Sequence, residues 1–180
     1  PKKGILFRDI TTLIKNEKAF EETVNQIIER SKKYKVDKIA AIESRGFVFA
    51  SAVSYLLKKP FIMLRKKNKL PADVHSVDFE LEYGTATIEV HKDSINEKDN
   101  VLIIDDLIAT GGTAEAAAKL VEISKGKVAA FIFVINLFDL GGCEKLIKNN
   151  YKVENLIEFP GHWMVAGSGI EPLTSGLWVP

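Results

Sequence analysis

The stretch Asp105-Asp106-Leu107-Ile108-Ala109-Thr110-Gly111-Gly112-Thr113 joins two carboxylates to a glycine-rich turn. Thr110-Gly111-Gly112-Thr113 can wrap backbone N–H groups and two hydroxyls around a phosphate, because glycine permits tight turns and a helix N-terminus adds positive potential. Asp105 and Asp106 can accept hydrogen bonds from vicinal hydroxyls or hold a cation-bound sugar. A pentose 5-phosphate would fill both features. The cradle lacks the lysine of a nucleotide-hydrolysing P-loop and the three spaced glycines of a dinucleotide fingerprint. An Asp pair in such a place also caps helices or binds a regulatory Mg²⁺, and these residues alone leave that reading open.

A second charged stretch, Arg65-Lys66-Lys67-Asn68-Lys69, is either an anion site or a solvated run. Global charge gives no help: 25 Lys+Arg against 24 Asp+Glu leave a net +1, which draws the chain neither to nucleic acid nor to an acidic membrane. Any anion must be met by a local cluster. The single Cys143 cannot form an internal disulfide, and no apolar run approaches the roughly 20 residues that span a bilayer, so a cytoplasmic setting is expected. His75, His91 and His162 have no metal-ligand spacing and read as surface or loop residues.

The elements that must position these residues alternate between strand and helix. Lys18 to Lys33 carries Phe20, Val24, Ile27 and Ile28 on one face, the spacing of an amphipathic helix. Lys38 to Ile42 is a short apolar strand, Glu43-Ser44-Arg45-Gly46 a loop, and Phe47 to Leu57 a helix. Pro60 to Leu64 reads as a strand, ahead of the basic stretch and Pro71. Val77 to Val90 alternates around Tyr83-Gly84 and is expected to be a mobile, solvent-facing antiparallel ribbon. Val101 to Ile104 has the uninterrupted apolar character of a strand covered on both faces, and a helix follows from Gly112 to about Ser124. Strand Val128 to Leu137, helix Glu144 to Asn149 and strand Val153 to Ile157 complete the order. The expected fold is one α/β domain, a doubly wound and mostly parallel sheet whose ligands sit beyond the strands' carboxyl ends.

At Val101 to Thr113 the sequence resembles the phosphoribosyl-pyrophosphate motif of type I phosphoribosyltransferases. Four further segments are similar to the adenine branch of that family: Gly4 to Thr11, Glu43 to Phe47, Arg65 to Pro71 and Leu81 to Gly84. The resemblance runs from about Gly4 to Phe159 and implies a domain over 1–159, with a small base-binding hood at about 1–15 and a flexible antiparallel lid at about 72–90. It implies transfer of phosphoribose to adenine, with AMP and pyrophosphate as products and Mg²⁺ as cofactor. A xanthine or hypoxanthine-guanine enzyme is the nearest alternative. A non-catalytic sensor of the donor is the alternative of another class, but no DNA-binding segment or basic excess accompanies it.

The same resemblance assigns roles. The Ser44-Arg45-Gly46 loop receives pyrophosphate, often through a cis peptide, and Arg65, Lys66 and Lys69 add positive charge. Asp105 and Asp106 hold the ribose hydroxyls, and Thr110, Gly111, Gly112 and Thr113 hold the 5-phosphate. Mg²⁺ is expected mainly on substrate oxygens and water near Asp105 and Asp106, with no protein ligand set assigned. Phe7 and Leu107 cover the two faces of the purine, groups near Leu6 read its amino edge, and Arg8 supports that wall. Glu82, beside Tyr83 on the lid, shares the proton of the attacking base; Ala109 stands where the hypoxanthine-guanine branch usually has aspartate. A homodimer is implied, with residues near the Arg45 loop at its interface. Asn136 and Cys143 depart from the family's usual acidic residue and arginine. Pro1-Lys2-Lys3, without an initiator Met, reads as the remainder of a longer product. Residues 160–180 have neither helix nor strand period: they cover a subunit edge with Trp163, Ile170 and Leu173, or are read-through past a normal stop.

Overall fold

The computed structural model describes residues 10–81 and 84–162. Its strands are β1 (Lys38–Ile42), β2 (Phe61–Lys66), β3 (Val74–Glu80), β4 (Thr85–His91), β5 (Asn100–Ile108), β6 (Lys127–Leu137) and β7 (Val153–Phe159). They form one seven-stranded sheet in the order β3-β4-β2-β1-β5-β6-β7. The β1–β2, β1–β5, β5–β6 and β6–β7 pairings are parallel, and the hairpin β3–β4 joins β2 antiparallel. The helices are α1 (Thr11–Lys15), α2 (Glu17–Ser31), α3 (Gly46–Leu57), α4 (Gly112–Ile123) and α5 (Gly142–Lys148). Asn16 caps α2 by accepting the Ala19 N–H at 3.0 Å, which explains why this helix starts where it does.

Side chains on β5 divide between two cores because successive residues of a strand face opposite sides. Val101 and Ile103 join Ala117, Leu120 and Val121 of α4, with Leu146 of α5. Leu102 and Ile104 join Val24 and Ile27 of α2, with Phe49 and Val53 of α3. All four β5 side chains are fully buried, which accounts for the unbroken apolar run. Burial of such a side chain contributes about 1.5–3 kcal/mol, so Ile103→Ala would cost about 2–5 kcal/mol once its cavity is included.

Two expectations change. The ribbon is not a solvent-facing insertion: β4 pairs with β2 through Arg65–Glu89 and Lys66–Ile88, and Val77, Ile88 and Val90 are buried in the α4-side core. Its alternation has a physical cause, since one face of the hairpin is covered. The body of the proposed lid, Val74–Glu80 and Thr85–His91, is therefore part of the sheet. The aspartate pair also lies within β5, because β6 continues the ladder with Asp105 opposite Phe133 and Leu107 opposite Ile135. Of the histidines, His75 lies on β3 and His91 on β4, while His162 is exposed beside Asp139.

Candidate functional site

From β1 the chain proceeds to β2 on one side, whereas β5, β6 and β7 build the other, so the β1–β5 boundary is the topological switch point. A cavity of about 440 Å³ opens there. Ser44, Arg45, Lys66, Asp105, Asp106, Leu107, Ala109, Thr110, Gly111, Gly112 and Thr113 all line it. The fold thus gathers eleven residues named from sequence at one place.

Gly111 sets the shape of the cradle. Its φ of 84° is left-handed, a conformation glycine adopts without a Cβ penalty, and it turns the chain directly into α4. The first turn of a helix has N–H groups without intrahelical acceptors, so this turn offers donors to an anion. The cradle is braced from behind by Gly142, whose N–H donates to the Ala109 carbonyl at 3.0 Å. A Cβ at Gly142 would stand 2.4 Å from that oxygen and 2.9 Å from the Gly111 nitrogen. Only glycine fits there.

The carboxylates are fixed by different contacts. Asp105 Oδ1 accepts the Asp106 N–H at 2.9 Å. Asp106 is 4 % exposed, and Arg45 Nε lies 2.9 Å from its Oδ2 in an ion pair whose geometry gives that oxygen no directed hydrogen bond. Burial pushes both carboxyls above their ordinary range; the neighbouring Asp106 adds to this at Asp105, while Arg45 opposes it at Asp106. Two acids drawn together in a poorly solvated place, one of them paired with Arg45, are suited to meet ligand hydroxyls.

Across the cavity the peptide bond between Glu43 and Ser44 is cis, as the resemblance implied. Glu43 grips the end of β2: its Oε1 accepts from Arg65 Nη2 at 3.1 Å and its Oε2 from Arg65 Nε at 3.3 Å and the Lys66 N–H at 3.0 Å. The Arg65 hydrogen bonds, followed by that of Lys66, hold the Glu43 carboxyl below its ordinary range. Arg65 and Lys69 stand beside the cavity rather than lining it, because Arg65 turns to Glu43 and to the Lys69 carbonyl. Leu6, Phe7, Arg8, Glu82 and Tyr83 lie outside the described residues.

The sequence reading treats Glu43 and Gly46 only as members of the Glu43-Ser44-Arg45-Gly46 loop and gives Gly142 no role. Glu43 was visible as an acid beside a basic segment, although its partner is 22 positions away. Gly46 and Gly142 were visible as glycines, but their need for close approach arises only from packing. Cys143 on α5 is buried beside Asn155, and Asn136 on β6 donates to Glu158 at 3.1 Å, so both departures make contacts with β7. Among the described residues no group of three or more His, Cys, Asp or Glu could hold a metal, and none of their helices is long and apolar enough to cross a membrane.

The Phosphoribosyl transferase domain family matches residues 10–170. An adenine phosphoribosyltransferase of Pelagibacter ubique is 83% identical over 162 residues, covering 90% of this chain and 93% of the relative. The crystal structure of adenine phosphoribosyltransferase from Thermoanaerobacter pseudethanolicus superposes with a TM-score of 0.84 at 46% identity, covering 88% of this chain and 91% of that one. The Saccharomyces cerevisiae enzyme, crystallised with D-DIAB and adenine, gives a TM-score of 0.80 at 36% identity, covering 87% and 90%. The cavity at the switch point, with its paired aspartates and glycine cradle, thus belongs to a chain that is a member of the phosphoribosyl transferase family, in the group of the adenine phosphoribosyltransferases.

Proposed function

We propose that this chain transfers the phosphoribosyl group of 5-phosphoribosyl-1-pyrophosphate to adenine. The observation that carries the reading is Asp105-Asp106 placed in one cavity with the Gly111 turn, since a ribose 5-phosphate needs hydroxyl acceptors and a phosphate cradle at that spacing. The relatives' shared name supplies the base.

In this reading adenine N9 bonds to the anomeric carbon as the bond to the pyrophosphate oxygen breaks, and the N9 proton passes to an acceptor. The cradle from Thr110 to Thr113 holds the 5-phosphate and so fixes the direction of attack. Asp105 and Asp106 hold the ribose hydroxyls, and their negative charge favours positive charge growing on the sugar. Arg45 and Lys66 meet the departing pyrophosphate, with Arg65 and Lys69 reinforcing the field beside it. Mg²⁺ supplies charge neutralisation of the pyrophosphate, and Asp105 and Asp106 are the carboxylates that would reach it through water. Leu107 and Phe7 cover the purine, Leu6 and Arg8 form its edge wall, and Glu82 takes up the proton while Tyr83 and the hairpin tip cover the site.

We also place the enzyme in the cytoplasm and infer a homodimer. Support for the dimer comes from Val48, Tyr55 and Leu56 on α3, the helix that follows the Arg45 loop, and Met63 on β2, apolar residues left exposed, with Tyr55 at 83%. The domain is taken as 1–159, and residues 160–180 are given no catalytic role. The test is release of pyrophosphate from the donor in Mg²⁺ buffer with each purine added singly. Adenine is expected to drive release; donor binding without release by any base would favour the sensor alternative.

A further inference from the structure

The basic turn after β2 is held through three consecutive backbone N–H groups. The Lys66 N–H donates to Glu43 Oε2 at 3.0 Å, the Lys67 N–H to the Thr87 carbonyl at 3.2 Å, and the Asn68 N–H to Glu89 Oε2 at 3.0 Å. Asn68 adopts a left-handed φ of 64°, which closes the turn, and Arg65 Nη1 reaches forward to the Lys69 carbonyl at 3.3 Å. Three consecutive N–H groups are therefore satisfied from two elements, the end of β1 and the strand β4. The side chains of Lys66, Lys67 and Lys69 are left to project.

Glu89 is the unexpected member. It lies in the middle of β4, opposite Arg65 on β2 and Ser76 on β3, and is only 5 % exposed. A carboxylate at such a site is costly unless hydrogen-bonded, and its two oxygens accept from the Asn68 N–H and, at 3.3 Å, from the Ser76 hydroxyl. Its flanking residues Ile88 and Val90 face the α4-side core, so Glu89 faces the other side of the sheet, as does Arg65. Lys66 instead shares the face of Leu64 and looks into the cavity. Four cations within five residues repel one another, and a carboxylate under their turn offsets that repulsion without occupying the anion's place.

We propose that Glu89 is a positioning residue for pyrophosphate: from beneath the turn it fixes the backbone at Asn68 and so pre-aims the lysines at the donor's pyrophosphate. The proposal rests on the donor reading given above. Through β4 it also ties this turn to the β3–β4 hairpin. A pre-ordered turn loses less freedom on meeting the anion, so the effect of Glu89 belongs to pyrophosphate affinity rather than to the base or the 5-phosphate.

The test compares wild type, Glu89→Gln and Ser76→Ala by steady-state kinetics, with inhibition by pyrophosphate and by AMP measured separately. Glu89→Gln keeps the shape and removes the charge. It is expected to raise the donor KM and the pyrophosphate inhibition constant together by about tenfold, the loss of one charge-assisted hydrogen bond. The AMP inhibition constant stays within about twofold, because AMP carries no pyrophosphate for the turn to meet. Ser76→Ala gives the same pattern at smaller size. An unchanged pyrophosphate constant in folded Glu89→Gln, or equal weakening of pyrophosphate and AMP, overturns the proposal. Should Glu89→Gln fail to fold, Ser76→Ala decides on the same two constants. A wild type that forms no AMP overturns the donor reading, and this proposal with it, before any variant is compared.

Discussion

Gly46 and Asp105 approach so closely that a Cβ on residue 46 would lie 2.8 Å from the aspartate's Oδ1 and 3.1 Å from the Ile104 carbonyl. The first turn of α3 thus rests directly on Asp105, and the Ser44-Arg45 loop takes its position from β5. Gly46→Ala forces Asp105 to move. It is expected to cost about 1–3 kcal/mol of stability, as overpacking does, and to lower kcat/KM about 10²-fold through misplacement of the site. Thermal unfolding and donor-dependent kinetics check this; wild-type kinetics in the variant would contradict it.

Gly142→Ala is a matched test on the opposite wall. Its Cβ would collide with the Ala109 carbonyl and the Gly111 nitrogen, so the cradle itself must shift. Affinity for AMP and ribose 5-phosphate should fall about tenfold or more, while inhibition by pyrophosphate changes little. Equal losses for phosphate-bearing and pyrophosphate ligands would show that the cradle is not the 5-phosphate site.

Asp105 gives a pH signature. Burial, and then the Asp106 charge, push its carboxyl well above the ordinary 3.8. Between that value and the raised one, the folded protein keeps a proton that the unfolded chain loses, so this group makes stability fall as pH rises. Asp105→Asn lacks that component. The Tm of the ligand-free variant should therefore gain on wild type as pH rises above about 4, although its activity is lost. A Tm difference independent of pH would mean that Asp105 ionises as freely in the fold as outside it.

Much of this organisation is legible in sequence. Strand β1 runs from Lys38 to Ile42 as read, because its apolar run is bounded by charged residues on both sides. The cradle was legible because glycine and threonine at a strand-to-helix turn have few other uses. The end of β5 was not: Asp105 and Asp106 look like loop residues, and only the long β6 keeps them in the ladder. The hairpin was misread for a related reason, since its alternation gives no sign of whether the apolar face meets water or α4. Glu43 and Glu89 act on partners 22 and 21 positions away, and no local pattern marks such pairs.

Glu82 is assigned by resemblance to the chemical step. Glu82→Gln removes the proton-accepting charge while keeping size, and kcat should fall about 10²–10⁴-fold with donor affinity unchanged. Asp106→Asn should instead weaken donor binding and turnover together, if the carboxylate beside Arg45 holds the donor's ribose as proposed. Near-normal single-turnover chemistry in Glu82→Gln would leave the proton to solvent or to a donor phosphate oxygen.

The central claim is the choice of base, and a competition for limiting donor tests it most directly. Adenine, hypoxanthine, guanine and xanthine are supplied together at equal concentration with 5-phosphoribosyl-1-pyrophosphate and Mg²⁺, and the nucleotides formed are separated and counted. Adenine should take nearly all the donor, with AMP exceeding every other nucleotide by about 10²-fold or more, as expected where a site hydrogen-bonds the distinguishing group. A mixture dominated by IMP, GMP or XMP would contradict the account.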